Sequence, residues 1–89
     1  MIETELEIVN KLGLHARAAA RFVTCASAYT SQIQVSKDGR RVNGKSIMGV
    51  MMLAASQGSR VRLEIDGDDE AAACKALTQL IADRFGEGE

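Results

Sequence analysis

Asp38-Gly39 stands between two stretches that alternate apolar and polar residues, with Ile33 and Val35 on one side and Val42 on the other. A two-residue Asp-Gly link closes an antiparallel hairpin, because its turn needs positive φ at both central positions and this pair supplies it at little cost. Residues 32–37 and 40–43 are therefore expected to pair as neighbouring strands. That fixed point limits how the rest of an 89-residue chain can be arranged.

Two further segments alternate. From Ile2 to Ile8 the even positions Ile2, Thr4, Leu6 and Ile8 are separated by Glu3, Glu5 and Glu7, a strand with one core face and one acidic face. Val61, Leu63 and Ile65 alternate with Arg60, Arg62, Glu64 and Asp66, ending at Gly67. Two helical patterns lie between these and a third follows them. The run from Ala16 to Tyr29 places small or apolar residues at 16, 19, 20, 23 and 26, a stripe with little bulk that suits close packing on a sheet. Ser46 stands in N-cap position before Ile47, Met48, Val50, Met51, Met52 and Leu53, a short helix apolar nearly all round and stopped by Gly58. Asp68, Asp69 and Glu70 supply a cap and first-turn acids for a last helix whose stripe runs Ala73, Leu77, Leu80, Ile81 and Phe85.

The order βαββαβα predicts a two-layer α/β sandwich with one face of a four-stranded sheet against three helices. A chain of this size has room for one domain, 1–89, and for one shared core, but not for a deep substrate cavity as well. Its chemistry should sit at the surface. Cys25 and Cys74 are too far apart for a metal or redox motif and are expected as buried free thiols. No apolar run approaches a membrane span and the first residues do not read as a signal peptide, so a cytoplasmic protein without membrane insertion is expected.

The net charge of −1 conceals a strong asymmetry. Residues 1–10 carry −3 and residues 63–89 carry −6, whereas residues 11–62 carry +8. The middle of the chain suits an anionic ligand or acidic partner, unless its charges are merely scattered and solvated.

The single histidine, His15, falls where Gly13-Leu14 turns into the first helix. There the first-turn N–H groups have no intrahelical partner and the macrodipole is positive, so a dianion would be held. Arg17 offers a planar guanidinium to phosphate oxygens, and Arg21 adds charge one turn on. Imidazole, largely neutral at neutral pH, attacks phosphorus without a separate base. A capping or surface histidine is the plainer alternative. One histidine and two dispersed cysteines give no zinc spacing, so neither a metal nor a cofactor is expected.

Gly13-Leu14-His15-Ala16-Arg17, followed by alanines and Phe22, and Asn43-Gly44-Lys45-Ser46-Ile47-Met48-Gly49-Val50 thirty residues later, resemble the HPr family of the phosphoenolpyruvate-dependent phosphotransferase system. The resemblance spans essentially the whole chain and implies the family's open-faced sandwich, its sheet mainly antiparallel. It implies that phosphorylated enzyme I passes a phosphoryl group to Nδ1 of His15, which gives it to a histidine of an enzyme IIA. It further implies that Arg17 steadies the phosphate, that the amides of Ala16 and Arg17 cradle it, and that the chain is a phosphoryl-transfer intermediate rather than a turnover enzyme. An exposed patch of Ile47, Met48 and Met51 beside Ala16 and Ala20, rimmed by Arg17 and Lys45, would serve as the docking face. Val50 and Met52 are assigned to the core.

Ser46 matches the serine that an ATP-dependent HPr kinase/phosphorylase modifies in some members, which implies a regulatory site; its plain role is an N-cap. Ala18 stands where many members have proline, and Thr24 and Ser27 where many have lysine. These departures leave the cognate partners less defined than the chemistry. They keep open a nitrogen-related HPr-like regulator that acts by binding proteins. A nucleic-acid- or ligand-binding α/β module is a more distant reading, since Phe22, Tyr29 and Phe85 all lie outside the predicted strands. A monomer is expected.

Overall fold

A computed structural model describes residues 1–88. The elements follow in the order β1 (Ile2–Glu7), α1 (Ala16–Ser27), β2 (Gln32–Lys37), β3 (Arg40–Asn43), α2 (Ile47–Met52), β4 (Arg60–Asp66) and α3 (Glu70–Ala82), with a 3-10 turn at Arg84–Gly86. All strand pairs are antiparallel and the sheet order is β1-β4-β2-β3.

The Asp38-Gly39 turn joins β2 to β3 with φ of 51° and 83°, the positive values that such a link demands. Lys37 consequently pairs with Arg40 and Val35 with Val42. That register sends Ile33, Val35, Val61, Leu63 and Ile65 to the helix side, where all five are buried. Val35 faces Leu63 and Ile33 faces Ile65 across the β2–β4 ladder.

The opposite face of the sheet is open and charged. Glu5 pairs with Arg60 at 3.1 Å and Glu64 with Arg41 at 3.0 Å, while Glu3 pairs with Arg62. Three of the bases that make the middle of the sequence positive are thus matched by acids of β1 and β4. The two exposed pairs, Glu5 with Arg60 and Glu3 with Arg62, contribute at most about 1 kcal/mol each.

On the covered face, α1 buries Ala18, Ala19, Phe22 and Ala26. Of the expected stripe only Ala19 and Ala26 are buried, with Ala16 exposed and Ala20 and Val23 half-buried. The helix packs chiefly on α2 and α3 rather than closely on the sheet. The helix ends at Ser27, two residues before Tyr29, because the Ala28 and Tyr29 amides turn back to Cys25 and Ala26 carbonyls three residues away. Helix α3 buries Ala73, Leu77 and Ile81. Phe85 completes that stripe from outside the helix: Arg84 and Phe85 both adopt positive φ, and the reversed chain drops the ring into the core. The two cysteines are free and half-buried rather than fully enclosed.

The short apolar helix departs most from its sequence reading. Helix α2 ends at Met52, and Ala54 breaks the chain with φ 51° before a separate turn in which the Ser59 amide bonds to the Ser56 carbonyl. Val50 is fully buried as expected, but Met52 is 57% exposed and is not a core residue. A helix of six residues lying on other elements has one inward stripe, and Val50 with Leu53 occupies it. At the start of α3, Asp69 occupies the N-cap position without capping the helix. Its carboxylate instead accepts the amides of Thr30 and Ser31 at 2.8 and 3.0 Å, and the Ser31 hydroxyl. This ties the α1–β2 loop to α3. No helix among the described residues is long and apolar enough to cross a membrane.

Candidate functional site around His15

The loop between β1 and α1 is built to present residue 15. Asn10 is fully buried; its carbonyl accepts the Gly13 amide at 3.2 Å, and its side-chain Nδ2 donates to the Gly13 carbonyl at 2.8 Å. Gly13 adopts φ 67°, and Leu14 then donates its amide to the Ala55 carbonyl at 2.8 Å. Leu14 and Ala18 are both buried, so His15 is held between two anchors while its own side chain stays 30% exposed.

His15 is the N-cap residue of α1. Its backbone is extended and its carbonyl accepts the Ala19 amide at 2.8 Å, which starts the helix. The N–H groups of Ala16 and Arg17 belong to the first turn, where no carbonyl lies four residues back within the helix. Both residues are exposed. The imidazole, these amides and the cationic side chains of Lys11, Arg17 and Arg21 line one shallow cleft. A phosphoryl dianion suits such a place: it meets free donors, a helix N-terminus and three positive charges together.

The cleft also contains a residue that sequence analysis missed. Glu87, 10% exposed, reaches His15 Nε2 with Oε2 and accepts from Asn10 Nδ2 with Oε1 at 3.0 Å. Burial opposes ionisation of this carboxyl, but hydrogen bonds from Asn10 and His15, with the charges of His15 and Arg17, outweigh it and hold its pKa below the ordinary value. The tail carrying Glu87 is fixed by Arg21 Nη1, which donates to the Phe85 carbonyl, and by the buried Phe85 ring. Seventy-two residues separate His15 from Glu87, and no local periodicity reports such a pairing. Asn10 followed by a glycine three residues on was a visible turn signal, though not one for a hydrogen bond to the tail.

Helix α2 packs against α1. It exposes Ile47 at 43%, Met48 at 71% and Met51 at 38%; Met52 and Leu12 are exposed as well, and sequence analysis did not include those two. Ala20 is half-buried. Lys45 turns inward: its ammonium donates to the Tyr29 carbonyl at 2.7 Å. Ser46 caps α2, its hydroxyl accepting the Gly49 amide at 3.1 Å. Gly49 belongs there because an added Cβ would stand 3.2 Å from Val42 and 3.3 Å from the Ser46 hydroxyl.

Known proteins resemble this chain in sequence and in fold. The family model described as "PTS HPr component phosphorylation site" matches residues 2–83. The chain is 57% identical to the phosphocarrier protein HPr of Neisseria meningitidis and to that of Cupriavidus necator, over the full length of both chains in each case. It superposes on the crystal structure of HPr from Thermoanaerobacter tengcongensis with a TM-score of 0.94 at 57% identity, covering 98% of each chain. The chain belongs to the HPr family, the phosphocarrier proteins of the phosphotransferase system.

Proposed function

We propose that this chain is a cytoplasmic, monomeric carrier that takes a phosphoryl group onto His15 Nδ1 from phosphorylated enzyme I and gives it to a histidine of an enzyme IIA. The observation that carries this reading is the position of His15: N-cap of α1, partly exposed, in one cleft with Arg17 and the first-turn amides of Ala16 and Arg17. In the loose transition state of phosphoryl transfer, charge spreads over the three equatorial oxygens. Amides fixed by the backbone and a guanidinium in the first turn of the helix meet that charge with little reorganisation.

The cleft binds only a phosphoryl group, so the partner must supply alignment. The exposed apolar surface of Ile47, Met48 and Met51 beside Ala16 and Ala20 is the face assigned to it. Arg17 edges this face with positive charge, which suits acidic partners. The test is a chase. With phosphoenolpyruvate and enzyme I the chain should become labelled, and adding enzyme IIA should discharge it within the mixing time. A label that enzyme IIA leaves in place would remove the carrier role.

Ser46 is assigned a regulatory role. Its hydroxyl lies at the start of the helix that carries Met48, so a phosphate there would add about −1.5 to −2 charges to the docking face and repel acidic partners. A Ser46→Asp variant should retain the fold and lose transfer from enzyme I; undiminished transfer would remove this role.

A further inference from the structure

We propose that Glu87 is a positioning residue for phosphoryl transfer: by accepting the Nε2–H of His15 it fixes the ring with the Nδ1 lone pair outward, and it keeps that proton on the ring while the phosphoryl group is carried. The inference rests on the carrier reading above and goes beyond it, since it concerns what holds the ring rather than what the ring does.

Glu87 is not a loose tail residue that happens to lie near a histidine. One carboxylate oxygen is held by the buried Asn10 and the other meets His15 Nε2. The backbone leading to it is fixed on Arg21 through the Phe85 carbonyl. At Gly86, φ is 75° and a Cβ would stand 3.1 Å from the Arg21 guanidinium, so this turn favours a glycine. The charged groups facing the ring are Lys11 from the β1–α1 loop, Arg17 and Arg21 from α1, and Glu87 itself. Glu87 is the one acid among the described residues of that cleft. Its two oxygens are taken by Asn10 Nδ2 and by the ring nitrogen.

The chemistry requires such a contact twice. When the chain is charged, the Nδ1 lone pair forms the N–P bond, the bond from phosphorus to the donor's nitrogen breaks, and that electron pair returns to the donor. Nε2 keeps its proton, so the phosphorylated ring is a cation. When the chain discharges, the P–Nδ1 bond breaks and its electron pair returns to Nδ1. With the Nε2 proton in place the leaving group is neutral imidazole; without it the leaving group is an imidazolate anion, which is far poorer. A carboxylate on Nε2–H stabilises the ring cation and so retains the donor-competent form as pH rises.

Two variants separate this role from a merely structural one. Glu87→Ala removes acceptor and charge, whereas Glu87→Gln keeps an acceptor oxygen without the charge. Discharge of the phosphorylated chain to enzyme IIA should slow about ten-fold in Glu87→Ala at pH 8.5, the size of one charge-assisted hydrogen bond, and markedly less at pH 6.5. Glu87→Gln should fall between. Equal rates and one pH profile for all three proteins would overturn the proposal. The 15N shifts of the unphosphorylated ring provide a separate readout. In the neutral ring, wild type should carry the proton on Nε2 while Glu87→Ala divides it between the two nitrogens; the same tautomer mixture in both proteins would overturn the contact even if every protein were phosphorylated normally. Wild type that takes no label, with tautomer mixtures that do differ, would instead reject the carrier reading and leave the contact standing.

Discussion

Gly13 lies directly against Ala55: a Cβ on Gly13 would stand 2.4 Å from the Ala55 carbonyl oxygen, the same oxygen that accepts the Leu14 amide. The close approach and the positive φ of Gly13 together set where the chain enters α1, and hence where His15 points. Gly13→Ala should therefore lower stability by more than the about 1–2 kcal/mol of a left-handed L-residue, because the backbone contact must also open. Urea denaturation measures this as a lower midpoint at unchanged slope. A midpoint equal to wild type would mean that the loop is not held as described.

Asp69 gives a pH-dependent prediction. The hydrogen bond from the Ser31 hydroxyl, and next the one from the Thr30 amide, lower its pKa from 3.8 to about 2. A carboxyl depressed on folding contributes stability that is complete above its unfolded pKa and is lost as pH falls through the folded one. Asp69→Asn should be less stable than wild type at pH 6, and the gap should narrow between about pH 4 and pH 2. Urea midpoints across that range test it; a gap independent of pH would contradict the assignment.

Met48, 71% exposed, separates docking from folding. Met48→Ala should change stability by no more than about 0.5 kcal/mol, as is usual for an exposed side chain without special contacts. The same variant should slow transfer from enzyme I at limiting concentration, where apolar contact with the partner sets the rate. Val50→Ala, at a fully buried site, should do the reverse and lower stability while leaving the docking face intact. Thermal denaturation and transfer rates measured on both variants decide the matter.

Much of this architecture was legible in the sequence because it is local. The hairpin follows from Asp38-Gly39, the strand faces from alternation, and the Ser46 cap from a serine before an apolar run. The outward turn of Met52 was not legible, since a helix apolar nearly all round does not say which residues its neighbours will cover. The end of α3 misled in another way: Phe85 fits the helical stripe, yet it reaches the core through a backbone reversal at Arg84 and Phe85. Asp69 has the identity and position of a helix cap and serves a loop instead, because Thr30 and Ser31 offer it more donors. At the candidate site, His15 and Arg17 were marked by their motif. Glu87 was not, since its two partners lie 77 and 72 residues away.

The most direct test of the central claim is phosphorylation by phosphoenolpyruvate and enzyme I of the wild-type chain beside His15→Ala. The predicted result is one label per wild-type chain, labile in acid and stable in base as a phosphorus–nitrogen bond on imidazole should be, and none on the variant. An unlabelled wild type beside an active enzyme I, or a label that persists in His15→Ala, would contradict the account.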